Sequence, residues 1–300
     1  MKQYGEVIEN ADLRNYSTLG VGGIVKYLVK PNTENDLCNL IKELRKENIK
    51  YIILGNGSNV IIDDTYFDGV VIRLDNLKEI TFEDNEVTAS CGVMLPMLVN
   101  VCLQKSYVSL AFASMIPGTV GGSVVGNAGA YGHEIMEYVK SVKVLDKEGN
   151  IITLQRDNIS YGYRYTSLKD KYIILSATFI LENGDPIKEL EEIRERNEKR
   201  IATQPIEKKN VGSIFRNPEG TSSGKLIDEL GLKGYQVGGA KISEKHANFI
   251  VNENNATFED VINLINLIKD RVKENYDINL VAEPTIIRWE EVWQKRRREN

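Results

Sequence analysis

The 300-residue chain is poor in the residues that most often mark catalysis and cross-linking, with 2 histidines, 3 cysteines and 2 tryptophans. Cys38, Cys91 and Cys102 are odd in number and far apart, and no C-x-x-C is present. Neither a disulfide framework nor a zinc knuckle is therefore expected, and no metal site. The thiols read as reduced and partly buried, as in cytosol. No positive excess exists either: 38 Lys and Arg against 43 Asp and Glu leave a net charge of -5. A protein of that balance has no general attraction to nucleic acid or an anionic membrane. The basic run Lys295-Arg296-Arg297-Arg298 reads as a solvated end. Residues 1–14 contain no apolar run, so no signal peptide is expected. The stretch 106–132 lacks Lys, Arg, Asp and Glu and is long enough to span a bilayer. Pro117 and glycines 118, 121, 122, 126, 129 and 132 would ruin a lipid-exposed helix, so backbone packed closely on something is the better reading.

The rest is an ordinary globular composition, 42% hydrophobic and 27% charged, of a length that suggests two or three domains. Apolar runs at 25–29, 51–54 and 70–74 read as strands. Between the first two, Leu37, Leu40, Ile41 and Leu44 recur at helical spacing, which suggests a βαβ unit. A strand at 86–89 and a helix over 94–105 precede the glycine-rich stretch. Residues 139–145 and 151–154 flank a turn sequence and predict a hairpin. A strand over 172–181 and a charged helix over 187–201 follow, ending before Gln204-Pro205. Beyond lie a strand at 248–251, a helix capped by Thr257 with Val261, Ile262, Ile265, Ile268 and Val272 on one face, and a strand over 284–288.

Several segments can carry chemistry. Gly55-Asn56-Gly57-Ser58-Asn59 follows a strand and can converge amides on a phosphate, although G-x-G-x-x-G is not completed and, taken alone, a plain tight turn is the better reading. Pro117-Gly118-Thr119, Gly121-Gly122-Ser123 and Asn127-Ala128-Gly129-Ala130 repeat that offer, as for a ligand with a diphosphate and a flat ring. Tyr163-Arg164 presents a forked donor beside an aromatic ring, suited to a carboxylate or simply to a cation–π pair. Ser213 has no G-x-S-x-G around it and only His133 and His246 exist, so a hydrolase triad is excluded and a proton-donor role stays open. Glu283 is a lone carboxylate before the last strand. Over 201–250, seven basic residues (Lys208, Lys209, Arg216, Lys225, Lys233, Lys241, Lys245) face five acidic ones, enough to receive an anion or merely to be solvated.

Taken in order, NYSTLGVGG, LGNGSN, IPGTVGGS…GNAGAYG, YGYR, GSIFRNPEG, GLKGYQVGGAKISEKHANFIVN and AEP resemble the UDP-N-acetylenolpyruvoylglucosamine reductase (MurB) family. The resemblance is to its shorter subclass, without the tyrosine-bearing insertion. It implies an α+β fold: a two-lobed FAD-binding domain of the PCMH type, followed by a substrate-binding α+β domain. The expected division is lobe 1 at 1–77, with an option for the C-terminal strand at 285–300 to return to it, lobe 2 at 78–203, and the substrate domain at 204–284.

The implied activity is that of a UDP-N-acetylmuramate dehydrogenase in peptidoglycan precursor synthesis. NADPH reduces non-covalent FAD, flavin N5 returns hydride to the enolpyruvyl ether of UDP-N-acetylglucosamine in a shared cleft, and a serine protonates the product. Implied catalytic residues are Ser213, Arg164 and Glu283. Implied FAD-binding residues are Gly55, Asn56, Gly57, Ser58, Asn59, Pro117, Gly118, Thr119, Gly121, Gly122, Ser123, Asn127, Gly129 and Ala130. Implied substrate-binding residues are Tyr163, Asn217, Lys225, Lys233 and His246. A cytoplasmic monomer is expected. The competing readings are another FAD-linked oxidoreductase, such as an oxidase, and a non-catalytic flavin- or UDP-sugar-binding protein; neither has reason to keep Arg164, Ser213 and Glu283 together.

Overall fold

The computed structural model describes residues 1–292. The expected basic run at 295–298 and the far end of the expected C-terminal strand lie outside them. The chain forms two compact units, and each is assembled from non-consecutive stretches. Unit 1 takes residues 1–9, 27–56 and 69–197; unit 2 takes 10–26, 57–68 and the chain from Glu198 onward.

In unit 1, helix α1 (Glu34–Lys46) starts where the Thr33 hydroxyl accepts from the Asp36 amide, and it buries Leu37, Cys38, Leu40, Ile41 and Leu44 along one stripe. The strand after it, Tyr51–Leu54, pairs in parallel with Phe67–Arg73, Tyr51 opposite Val70. In the sheet order, Phe67–Arg73 stands between Tyr51–Leu54 and the strand Ile24–Pro31 that precedes the helix, so the strands flanking α1 are not direct neighbours. An antiparallel sheet of five strands follows, in the order Ile151–Gln155, Val139–Leu145, Ile173–Ile180, Glu86–Ser90, Ile80–Glu83. Its hairpin turn is tied by Asp146 Oδ1, which accepts from the Asn150 amide at 2.7 Å. Helix α2 (Leu95–Gln104) buries Leu95, Leu98, Val99, Cys102 and Leu103. The short helix α3 (Val120–Gly126) is capped by Thr119 and lies so close to the sheet that a Cβ on Gly121 would meet Cys91 Cβ at 2.9 Å. Helix α4 (Pro186–Thr203) buries no residue, as its charge density predicts.

Unit 2 has its own core. Leu19, Val21 and Ile61 pack with Ile214, Phe215, Ile242 and the inner face of helix α6. Helix α5 (Ser223–Glu229) adds Leu226 and Ile227. Helix α6 (Phe258–Tyr276) opens with a reciprocal cap: the Asp260 amide donates to Thr257 Oγ1 at 3.1 Å and the Thr257 amide to Asp260 Oδ2 at 2.9 Å. A three-stranded antiparallel sheet (Gln236–Val237, Ala240–Ile242, Ile250–Asn252) faces it. The last strand, Thr285–Ile287, pairs in parallel with Val60–Ile62. Among the described residues no helix is long and apolar enough to cross a membrane.

Candidate active site

Unit 2 contains a cleft of about 590 Å³ whose lining includes Ser213, Asn217, Lys225, Lys233 and His246. The expected substrate residues other than Tyr163 thus share one cavity with the expected proton donor.

The position of Ser213 is fixed by its neighbours in sequence. Gly212, at φ 79°, turns the chain, and its amide donates to Asn210 Oδ1 at 2.8 Å. Residues 214–216 then run between two partners. On one side Phe215 bridges Ala282, the Arg216 amide donates to Val281 O at 3.0 Å and the Glu283 amide to Ile214 O at 2.9 Å. On the other, buried Asn248 grips the segment three times. Its carbonyl accepts from the Ile214 amide at 2.9 Å, its Oδ1 from the Phe215 amide at 3.0 Å, and its Nδ2 donates to Phe215 O at 2.8 Å. Ser213 and Glu283 are therefore held on adjoining segments. Asn248 escaped sequence reading because a polar residue among apolar ones gives no sign of whether it faces water or a buried backbone.

The cleft's charges are balanced in pairs. Lys233 Nζ lies 2.7 Å from Asp228 Oδ2, Lys225 Nζ 3.8 Å from Glu229 Oε1 and Lys245 Nζ 3.3 Å from Glu207 Oε2. An anion entering the cleft competes with carboxylates for these ammonium groups, which favours a multiply charged ligand over a singly charged one. Asn217 Oδ1 accepts from the Ser223 amide at 3.2 Å and Ser222 Oγ from the Lys225 amide at 3.3 Å, capping α5. His246 Nδ1 accepts from the Asn248 amide at 3.2 Å, which leaves the ring proton on Nε2. Burial, and then the Lys233 ammonium, hold its pKa below the ordinary 6.5, so it is a neutral donor at pH 7.

Arg164 belongs to unit 1. Tyr163 and Arg164 form the two-residue turn between strands Tyr161–Gly162 and Tyr165–Thr166, with Gly162 opposite Tyr165. The guanidinium carbon lies 4.9 Å over the Tyr163 ring, and Nη2 donates to Gly129 O at 2.9 Å. Half-exposed Tyr163 thus stands beside Arg164.

Glycine turns occur in both units. Within unit 1, Asn56 Nδ2 donates to Pro117 O at 2.6 Å, and a Cβ on Gly55 would lie 3.1 Å from Thr119 Oγ1. The turns at 55–56 and 117–119 are therefore adjacent, and their glycines keep the space between them open. Ser123 Oγ is buried with no hydrogen-bond partner among the described residues, 3.1 Å from where a Gly118 Cβ would stand. In unit 2, Gly57 at φ 71° accepts from the Thr18 amide through its carbonyl, and Ser17 Oγ beside it is likewise buried without a partner among the described residues. Unsatisfied buried hydroxyls are uncommon, and one beside each glycine turn suits a ligand rich in oxygen acceptors. Ser58 and Asn59 continue the second turn, and Asn59 O accepts from the Thr285 amide at 3.0 Å. Gly121, Gly122 and Ser123 form the first turn of α3, whose N-cap Thr119 accepts from the Gly122 amide. Gly129 and Ala130 form a short strand opposite Glu134 and His133. Asn127 differs from the rest: it is wholly buried and its amide is engaged by protein groups. Among the described residues no group of His, Cys, Asp and Glu could hold a metal ion.

Comparison with known proteins agrees with this geometry. Residues 25–155 match a domain family described as "FAD binding domain", and residues 204–287 one described as "UDP-N-acetylenolpyruvoylglucosamine reductase, C-terminal domain". Proteins named UDP-N-acetylenolpyruvoylglucosamine reductase from Caldanaerobacter subterraneus and Clostridium tetani are similar. The first is 40% identical over 94% of both chains; the second is 41% identical over 93% of this chain and 91% of the relative. The crystal structure of the Thermus caldophilus reductase superposes with a TM-score of 0.79 at 32% identity, covering 94% of this chain and 98% of that one. With near-full-length likeness to these enzymes at about 40% identity, the chain belongs to the UDP-N-acetylenolpyruvoylglucosamine reductase family.

Proposed function

We propose that the protein is an FAD-dependent, NADPH-consuming reductase that converts UDP-N-acetyl-3-O-(1-carboxyvinyl)-glucosamine to UDP-N-acetylmuramate, a step in making peptidoglycan precursors. The observation that carries this reading is the cleft of unit 2, where Ser213 shares a cavity with the paired lysines and His246. FAD, when bound, supplies two-electron exchange between NADPH and substrate. Gly55, Asn56, Gly57, Ser58 and Asn59 would hold it, with Pro117 to Thr119, Gly121 to Ser123, Gly129 and Ala130; Asn127 serves as part of that loop's frame.

The substrate's vinyl ether is electron-rich and resists reduction. Reduction becomes feasible when negative charge developing toward the carboxylate is stabilised. Arg164 is assigned to that carboxylate through its forked donors, and Glu283 to the same end of the substrate. Ser213 Oγ gives its proton to the carbon that becomes negative, and recovers one from solvent. Lys225, Lys233 and Asn217 bind the UDP portion, with His246 Nε2–H as a neutral donor. Tyr163 packs beneath Arg164. In this reading residues 1–77 and 78–203 carry FAD and 204–284 the sugar nucleotide, NADPH and substrate take turns, and the enzyme works as a cytoplasmic monomer. The three separate thiols, none of them paired, are in keeping with a reducing compartment.

Anaerobic absorbance tests the proposal. The purified protein should be yellow, release its flavin on denaturation, lose colour with NADPH and regain it with the enolpyruvyl substrate. Colour that returns with oxygen but not with substrate would indicate a different flavoenzyme, and a protein that stays colourless with added FAD would end the proposal.

A further inference from the structure

The residue at the second position of a two-residue turn with positive φ is ordinarily Gly or Asn. Here it is Arg164, at φ 55°. A left-handed conformation is unfavourable for a residue that carries a side chain, and such a residue persists only when its surroundings over-determine it. Two side chains bear on this turn, Asn127 and Glu134. Asn127, buried and itself left-handed at φ 44°, closes α3. Its Nδ2 donates to Gly162 O at 2.9 Å, the carbonyl that opens the turn, and to Glu134 Oε2 at 2.7 Å. Its Oδ1 accepts from the Met136 amide at 3.2 Å. Both amide hydrogens are thus spent inside the protein. Glu134 pairs across the short strand with Gly129, the residue whose carbonyl receives Arg164 Nη2. Space there is filled: a Cβ on Gly129 would lie 3.2 Å from Arg164 Nη1 and 3.1 Å from Glu134 Cγ. One buried amide therefore links the start of the arginine turn to the strand that receives its guanidinium.

We propose that Asn127 and Glu134 are positioning residues that hold the Tyr163–Arg164 turn in its left-handed form and so aim the Arg164 guanidinium. The catalytic part of this inference rests on the role assigned to Arg164 above; the geometric part does not.

Asn127→Gly is the informative variant, because glycine accepts the left-handed backbone freely while removing the amide. Colour return with substrate, measured on FAD-replete, NADPH-bleached full-length protein, should slow by about ten- to a hundredfold, the order expected for a small misplacement of a positioning group. It should slow more than bleaching does. Glu134→Ala should act in the same direction, and Glu134→Gln, whose Oε1 still accepts from Asn127, should recover most of the loss. In an Arg164→Lys background the Asn127→Gly change should add less than about threefold, since coupled residues are not additive. Independent full effects in the double variant would overturn the proposal. A crystal structure of Asn127→Gly, or of Glu134→Ala should the first variant fail to fold, reads the geometry without any activity. Arg164 still left-handed with Nη2 on Gly129 O in that structure would overturn the proposal, even if the enolpyruvyl substrate proved to be the wrong one.

Discussion

Single side chains decide what this protein can do. Ser213→Ala should leave bleaching by NADPH intact and slow colour return by about 10²–10⁴-fold, the usual worth of general-acid help. Asn248 matters through what it holds. Asn248→Ala strips partners from the buried Phe215 amide and carbonyl, and each orphaned group costs about 1–3 kcal/mol. Urea denaturation should therefore show a loss of about 2–6 kcal/mol, accompanied by slower turnover because Ser213 shifts. His246 gives a pH signature. Burial, then Lys233, depress its folded-state pKa below the ordinary 6.5, so the unfolded chain takes up the proton first. That contribution to stability is fully present above pH 6.5 and is lost as pH falls through the depressed folded value. Denaturant midpoints measured downward from pH 6.5 should fall more steeply for the native protein than for His246→Gln.

At the scale of elements, the pattern of apolar residues foretold most of the regular structure. The stripe of Leu37, Leu40, Ile41 and Leu44 becomes the buried face of α1, and Val261, Ile262, Ile265, Ile268 and Val272 that of α6. The hairpin after Leu145 forms where its turn residues indicated. Legible too was the grouping of Ser213, Asn217, Lys225, Lys233 and His246, because family motifs fix their chemistry. What stayed hidden was pairing. Periodicity reports which face of an element is buried and nothing about its partner, so the placing of Phe67–Arg73 beside Tyr51–Leu54 could not be read. Asn127 and Asn248 were opaque for a related reason: their value lies in backbone groups that only the fold brings near. The turn carrying Gly57 gives an element-scale test. At φ 71°, with a Cβ that would collide with Tyr16 O, Gly57→Ala cannot be absorbed by a rotamer change. Thermal denaturation should move to lower temperature and FAD content should drop together.

For the whole molecule the decisive fact is that unit 2 is stitched from three stretches. Leu19, Val21 and Ile61 belong to the same core as α6, and the last strand pairs with Val60–Ile62. The C-terminal sequence match at 204–287 therefore takes in only part of that core. A fragment of residues 204–300 should unfold without a cooperative transition and expose its apolar face to a dye such as ANS, whereas the complete chain should melt sharply. A sharp melt of the fragment would show that residues 10–26 and 57–68 are ornament rather than core.

That stitching also sets a timetable for biosynthesis. Some two hundred residues separate Ile61 from Ile265, its companion in the core. At roughly 5–20 residues per second, a ribosome needs about 10–40 s to deliver the second after the first. For that interval the nascent chain carries Leu19, Val21 and Ile61 with nowhere to go, a standing invitation to chaperones that ends only when α6 emerges.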